Sequence, residues 1–537
     1  MKKRSIPTKA ELLRLQKLYK TDEKIGERLG GVPAYLVAYW RRKKNIPKYS
    51  LPKFSEAEIR NLWERYGDDE KAGLELGISK AAFYNWRRRY GFREKPAFLR
   101  LEQLELNFPG MIVASHTNSL YGQRSVVQKI LARLSEKEWI EVGQEVEVEP
   151  DLTVTAVAAA QVIEAFSQKS DIVWNPGKIV LLLGDEIRPT GDNLANRHQV
   201  VRDFSRRQGI KAFYDLSEGT CCQLALERGH IVPGRLTLGV GNQVAAYGAM
   251  STLVLPINLE DMGRIWAGDK YKMEVPETVQ IVINGHRARG VGVIDIALHV
   301  IGQLADDDLR GRVIEYSGSA ISQMSIGQRF TFSTLLTETG ALAAICAYDA
   351  TTRRYLTGRT MNRFQPVIPD KDAEYSRLYQ INIDQLQPLA AMQDKITESK
   401  TLAELQDLPV QLIVLGSCLS GRFEDLRVAT EILKGKQVHE GCRLYVVPGS
   451  RAVYLEALKK GLIRVFIEAG AIVTHAGVGQ GLPGDFALAD GERALSTTYL
   501  ELNSNATNSS NIHICSPATA AASALNGVIT DPTRYGR

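Results

Sequence analysis

Cysteine is scarce in this chain, with six in 537 residues, at Cys221, Cys222, Cys346, Cys418, Cys442 and Cys515. No two of them form a C-x-x-C pair and no H-x-x-x-H accompanies them. That leaves neither a zinc module nor a disulfide frame to read, and scattered reduced thiols are expected. Apolar runs are short, none approaching the roughly 18 residues that span a bilayer. The start, Met1-Lys-Lys-Arg-Ser-Ile-Pro7, is basic but has no apolar stretch of the signal-peptide kind. A membrane partner is therefore excluded and a cytoplasmic location expected. Hydrophobic residues make up 44% and charged residues 24%, the composition of a soluble protein with large cores. At about 150 residues per domain, the length implies three or four domains.

The net charge of +6 is unevenly spread. Residues 1–100 hold 25 Lys and Arg against 12 Asp and Glu, whereas the remainder holds 42 against 49. One end is built to meet a polyanion and the other is not. That basic end is also duplicated. Lys9-Ala-Glu-Leu-Leu-Arg-Leu-Gln-Lys-Leu-Tyr19 lies over Glu56-Ala-Glu-Ile-Arg-Asn-Leu-Trp-Glu-Arg-Tyr66 at an offset of 47 residues. The match continues through Leu29-Gly30 over Leu76-Gly77. After a one-residue gap, Trp40-Arg41-Arg42-Lys43 lies over Trp86-Arg87-Arg88-Arg89. So regular a repeat predicts a duplicated structural unit.

Each copy reads as an apolar helical stripe, a short second helix, a turn at Leu-Gly and a third helix. Ser79 has the chemistry of an N-cap for a helix over residues 80–90. That helix carries Lys80, Tyr84 and Asn85 beside Arg87, Arg88 and Arg89, matched in the first copy by Arg41, Arg42 and Lys43. Asparagine and arginine read base edges and an arginine run holds phosphates. The segment resembles the homeodomain-like helix-turn-helix class, which implies DNA as the partner of residues 1–97, with copies at about 8–48 and 55–94. Trp40 and Trp86 are expected to anchor the two small cores.

Beyond residue 110 the pattern changes to strand-like runs alternating with helical ones. Lys178–Leu183, Val410–Leu415, Arg443–Val447 and Ala471–Thr474 read as strands; Phe423–Leu433 and Arg451–Ala469 read as helices. This alternation predicts a layered α/β fold. Gly479-x-Gly481-x-x-Gly484 has the form of a dinucleotide fingerprint, but a lone glycine triad reads as a tight loop.

Longer motifs carry a resemblance. Gly416-Ser-Cys-Leu-Ser-Gly-Arg-Phe-Glu-Asp-Leu-Arg427, Val447-Pro-Gly-Ser-Arg-Ala-Val-Tyr-Leu-Glu-Ala-Leu458 and Phe466-Ile-Glu-Ala-Gly470 are similar to the aconitase / 3-isopropylmalate dehydratase large-subunit family. So are Asp490-Gly-Glu-Arg493, Ser496-Thr-Thr498 and Ser516-Pro-Ala-Thr-Ala-Ala-Ala522, with weaker stretches around Val275–Thr278 and Phe330–Glu338. The resemblance implies aconitase-like three-layer α/β/α domains around a cleft, two in residues 98–400 and a third in 401–537. It further implies a [4Fe-4S] cluster that dehydrates and rehydrates a hydroxy di- or tricarboxylate. A swivelling domain, on a separate small subunit in the isopropylmalate enzymes, supplies a catalytic serine.

Set against that family, several site positions differ. Cys418 keeps the first cluster-cysteine position, whereas Val478 and Gly481 stand where the other two thiolates would be. Asp185 remains of an Asp-His pair, next to Glu186, and Glu338 also remains. Cys222 and Gln243 fall on other altered positions, and the segment Tyr499-Leu-Glu-Leu-Asn-Ser-Asn505 lacks two substrate-binding arginines. Iron in a cluster needs thiolate ligands at fixed geometry. These departures lead to the expectation that no cofactor is held and that the [4Fe-4S] cluster has been lost. Glu186, Cys222, Gln243, Ser450, Arg451 and His475 are then candidates for a rebuilt ligand pocket, with a small carboxylate as effector. The resulting expectation is a DNA-binding regulator with a non-catalytic aconitase-like body. The alternative is a hydro-lyase or isomerase of the 3-isopropylmalate dehydratase large-subunit type, with an altered site and a separate small subunit.

Overall fold

The computed structural model describes residues 7–19, 21–47, 54–66, 68–76, 78–90, 92, 124–155, 158–183, 192–216, 218–304, 309–360, 362, 364–476, 488–500 and 511–535, with 64–66, 71, 192, 193, 221, 222 and 242 described by their backbone alone. The chain divides into two compact units, Met1–Phe108 and Pro109–Arg537.

In the first unit each sequence repeat forms three helices. The first copy comprises α1 (Lys9–Tyr19), α2 (Asp22–Arg28) and α3 (Ala34–Lys43). The second comprises α4 (Glu56–Tyr66), α5 (Asp69–Glu75) and α6 (Lys80–Arg89). The caps are the side chains the sequence offers: Thr21 accepts from Lys24 N, and Ser79 Oγ accepts from Ala82 N at 3.3 Å. The cores are small. Leu12, Ile25, Val32, Val37 and Ile46 fill the first, and Ile59, Trp63, Ala72 and Phe83 fill the second. Trp40 and Trp86 are only partly buried against them, Trp86 lying edge-on to Phe54 and stacked on Tyr90.

Each small core is completed by a buried ion pair. Arg41 donates from Nε to Asp22 Oδ1 at 3.0 Å, from Nη2 to Oδ2 at 2.9 Å and from Nη1 to Ile46 O at 3.1 Å. Arg87 repeats the arrangement, with Nε and Nη2 on Asp69 and Nη1 on Phe92 O at 2.7 Å, its guanidinium 4.1 Å from the Trp63 ring. Burial would penalise either charge alone, but fork-on-carboxylate geometry satisfies both. Arg41 and Arg87 are therefore corrected: both are buried and spend their donors within their own unit, so neither is available to a phosphate. By contrast, Arg42, Lys43, Lys80, Tyr84, Asn85, Arg88 and Arg89 are exposed.

The second unit is layered α/β, as its alternating pattern predicts. A short antiparallel ribbon pairs β1 (Glu145–Val148) with β7 (Tyr271–Glu274). The first sheet is fully parallel, in the order β4 (Ala212–Tyr214), β3 (Ile179–Leu182), β2 (Leu152–Thr155), β5 (Leu236–Val240), β6 (Leu253–Pro256). The second is also parallel: β10 (Ala343–Cys346), β9 (Val313–Ser317), β8 (Thr278–Asn284), β11 (Arg377–Asn382). The third has seven strands, β13 (Lys400–Thr401), β12 (Leu389–Met392), β18 (Ile512–Cys515), β17 (Ala494–Ser496), β14 (Leu412–Gly416), β15 (Arg443–Val447) and β16 (Ile472–Val473). Only β12 runs antiparallel to its neighbours, and the rest of this sheet is parallel. The near-continuous apolar strands, such as Leu412–Gly416 with every residue buried, are what a sheet covered on both faces requires. The single helix expected over Arg451–Ala469 is two, Arg451–Lys459 and Leu462–Glu468. They break at Gly461, which sits at φ +78°, a conformation that ends a helix cheaply only for glycine.

Candidate functional site

Ligands of open α/β sheets collect at the carboxyl ends of parallel strands. In the third sheet, β14 and β17 run side by side and the segments leaving both ends meet. Gly416 ends β14 at φ +119°, where a Cβ would lie 2.0 Å from Val447 O, so only glycine fits this turn. The short helix Ser417–Ser420 follows and places Cys418, buried, with Sγ 3.4 Å from Thr498 Oγ1. The Thr497 segment is laced to this turn. Gly416 N donates to Thr497 Oγ1 at 2.8 Å, Ser420 Oγ donates to Thr497 O at 3.0 Å, and Ser496 Oγ donates to Thr498 O at 2.6 Å.

The helix Ile326–Thr337 leans on the same turn. Thr331 Oγ1 donates to Leu419 O at 2.5 Å. The buried Arg422 donates to Leu419 O at 2.8 Å and to Thr331 Oγ1 at 3.0 Å, its guanidinium 4.0 Å from the Phe330 ring. This brace fixes the helix whose C-cap is Glu338. The Glu338 side chain is open to solvent, yet the protein around it lifts its carboxyl above the ordinary carboxylate range. Tyr499 follows Thr498; its hydroxyl is buried with no hydrogen-bond partner among the described residues. Burial, and then the charges of Glu338 and Cys418, hold that phenol well above its usual value. Tyr499, Glu338 and Cys418 thus share one electrostatic neighbourhood, drawn from three separate elements.

The sequence candidates scatter around this centre unequally. Ser450 is corrected as a pocket residue. It is fully buried, donates to Glu227 Oε1 at 2.8 Å and accepts from Val453 N at 3.2 Å, so its hydroxyl is already committed. Its backbone bridges to Gly219, while Thr220 N donates to Gly449 O at 2.9 Å. Arg451 is exposed and 3.8 Å from Glu218. Gln243 and His475 are half-buried. Asp185, Glu186, Val478 and Gly481 lie outside the described residues, as does the side chain of Cys222. In the sequence Tyr499 is legible only as part of a segment lacking arginines; its signal is a phenol directly after a Ser-Thr-Thr run that has to close on Cys418.

Among the described residues no group of three or more His, Cys, Asp or Glu side chains could hold a metal ion. The described residues thus do not by themselves make up the ligand set of a cluster, and no chemical step is routed through one. Among the described residues, too, no helix is long and apolar enough to cross a membrane.

Known proteins resemble this chain over most of the second unit. The model of the aconitase family (aconitate hydratase) matches residues 183–402 and 391–527. The 3-isopropylmalate dehydratase large subunit 1 of Methanopyrus kandleri is 34% identical over 418 residues, covering 77% of this chain and 99% of that protein. The probable 3-isopropylmalate dehydratase large subunit of Methanothermobacter thermautotrophicus is 32% identical over 412 residues, covering 76% and 98%. The crystal structure of holo-form Thermococcus kodakaraensis aconitase X covers 70% of this chain and 89% of that chain, at 11% identity and a TM-score of 0.39, too low to argue from. These matches overturn the expectation that no cofactor is held. The family that the resemblance ties to a [4Fe-4S] cluster matches nearly end to end, across the very segments whose departures suggest a loss. The matched relatives, named as 3-isopropylmalate dehydratase large subunits, favour the hydro-lyase alternative over the non-catalytic reading of the body. With its model match spanning 183–527 and relatives at 32–34% identity, the chain belongs to the aconitase family.

Proposed function

We propose that the second unit is a hydro-lyase of the 3-isopropylmalate dehydratase large-subunit type, acting on a hydroxy di- or tricarboxylate with a separate small subunit. The observation that carries this is the contact of Cys418 with Thr498, next to Tyr499, at the turn that ends β14, with the charge of Glu338 acting on the Tyr499 phenol, in a chain similar to such large subunits. In a dehydration a C–H proton passes to a base, the C–O bond breaks, the hydroxyl leaves as water with a second proton, and a C=C bond forms. Glu338, with its affinity for a proton raised, suits delivery of that second proton. The Tyr499 hydroxyl supplies a donor with no competing partner among the described residues. The base comes from the small subunit, as in the family. A cluster, when bound, would supply Lewis acidity toward the departing hydroxyl, with Cys418 as this chain's thiol at the turn. The test is turnover of 3-isopropylmalate and related hydroxy acids by the full chain co-purified with a small subunit. Absence of turnover across that panel, with the subunits shown to associate, rejects the reading.

A second reading concerns the first unit: its two third helices bind DNA, adding a regulatory role. The favouring observation is that Arg42, Lys43, Lys80, Tyr84, Asn85, Arg88 and Arg89 all stand exposed on α3 and α6. A small carboxylate is the effector class that would link the two roles. Electrophoretic shift of a duplex by the full chain, abolished by salt, is the expected result. Binding that ignores salt counts against it.

A further inference from the structure

The two third helices share an inner face and differ on the outer one. Aligned on Trp40 and Trp86, the inner positions agree: Val37 matches Phe83 and Arg41 matches Arg87, all buried. The outer stripe at helical spacing does not. In α3 it reads Tyr35, Tyr39, Lys43; in α6 the same positions are Ala81, Asn85, Arg89. Tyr35 is 71% exposed and Tyr39 54% exposed, with Lys43 Nζ 6.0 Å from the Tyr39 ring centre. Tyr84, one position over from that stripe, is the large exposed ring of α6, with Arg88 Nη1 donating to its hydroxyl at 3.2 Å. What the outer faces share is positive charge, Arg42 with Arg88 and Lys43 with Arg89.

Packing among the described residues does not account for Tyr35 and Tyr39. Two wide aromatic rings held in water one turn apart are amphipathic contact surface, apolar on the face and hydrogen-bonding at the tip. Their surroundings specify the occupant's charge: the segment carries 25 Lys and Arg against 12 Asp and Glu over residues 1–100. A basic helix with such a stripe fits the major groove of B-form DNA, whereas the deep, narrow major groove of A-form RNA does not admit it.

Resting on the DNA reading above, we infer that the two copies recognise different half-sites, so that the target is an asymmetric duplex sequence rather than a direct repeat. In the second copy Asn85 and Arg89 read by hydrogen bonds, the asparagine suited to adenine and the arginine to guanine. In the first copy Tyr35 and Tyr39 read by apolar contact with thymine methyls and anchor their hydroxyls on phosphates. Arg42 and Arg88 supply the same phosphate grip in both.

The experiment is selection of duplexes from a random pool by the full chain, by a Tyr35→Ala/Tyr39→Ala variant and by Asn85→Ala. All three should unfold at the same temperature, since the altered side chains are exposed. The wild type is expected to enrich one asymmetric sequence. The tyrosine variant should lose sequence preference over one half only, Asn85→Ala over the other, each with affinity reduced about tenfold. Enrichment of a direct repeat by the wild type overturns the inference while leaving the DNA reading intact. So does an unchanged selected sequence in the tyrosine variant. If the wild type shows no salt-sensitive duplex binding, the DNA reading itself fails and this inference with it.

Discussion

Arg41 and Asp22 form a two-pronged ion pair inside the first helical repeat, and Arg87 and Asp69 form the same pair in the second. The duplicated arginine run therefore divides by face. One arginine in each copy holds α2 to α3, or α5 to α6, and the residues after it point outward.

Removing one partner should be far worse than removing both. Asp69→Ala leaves a guanidinium buried without its anion and is expected to destabilise the second repeat by about 3 kcal/mol. Replacing Asp69 and Arg87 together with Leu and Met should cost much less. Denaturant midpoints of the two variants check the order; equal destabilisation would mean the pair is a surface interaction of little weight.

Outward residues should behave differently. Arg88→Ala or Arg89→Ala is expected to leave thermal stability within about 0.5 kcal/mol. Arg88→Ala should also lower the slope of log affinity against log salt by about one, because one phosphate is no longer neutralised, whereas Arg89→Ala should chiefly relax the base preference of the second copy. Arg87→Ala should instead unfold the repeat. Titrations of a duplex at several salt concentrations, paired with melting curves, separate the two kinds of arginine.

Tyr499→Phe removes a buried hydroxyl that has no partner among the described residues, so stability should hold or rise slightly. Turnover of a hydroxy acid should nonetheless fall about a hundredfold in kcat, with KM little changed, if the hydroxyl is used in the transition state. Glu338→Gln should fall by a similar factor and flatten the alkaline side of the pH profile, where the wild-type acid loses its proton. Unaltered kcat in Tyr499→Phe would remove this residue from the chemistry.

Glu315 predicts a pH effect on folding. It is buried on β9, accepts from Tyr375 Oη at 2.9 Å and Val127 N at 3.3 Å, and burial pushes its carboxyl up to about 7. Its protonated form is the one the fold favours. The contribution is complete below the unfolded carboxyl range near 4.5 and is lost as pH rises through about 7. Glu315→Gln should thus be more stable than wild type at pH 8 and no more stable at pH 4. Chemical denaturation across that range decides it; an advantage growing toward acid would reverse the sign.

Much of this is legible in the residues. Phe423–Leu433 and Arg443–Val447 are the observed helix and strand to the residue, because an amphipathic stripe and an apolar run leave little choice. The break at Gly461 is not, since a glycine inside a helical pattern is tolerated as often as it ends one. The burial of Arg87 is hidden by its two neighbours of the same charge. Its signal is spacing: it lies four residues after the buried Phe83, on the inner face of α6. The site is harder to read because it is assembled across distance. Cys418 and Thr498 come together only when β14 and β17 pair, and no local pattern announces a parallel neighbour eighty residues away.

The crowding at Gly416 fixes what this chain can become. Because any side chain there would strike the main chain of Val447, mutational scanning of that codon should return only synonymous changes among folded survivors, whatever is selected. Variation in ligand preference must then arise in the segments flanking the turn, leaving the turn itself as the invariant hinge point of divergence.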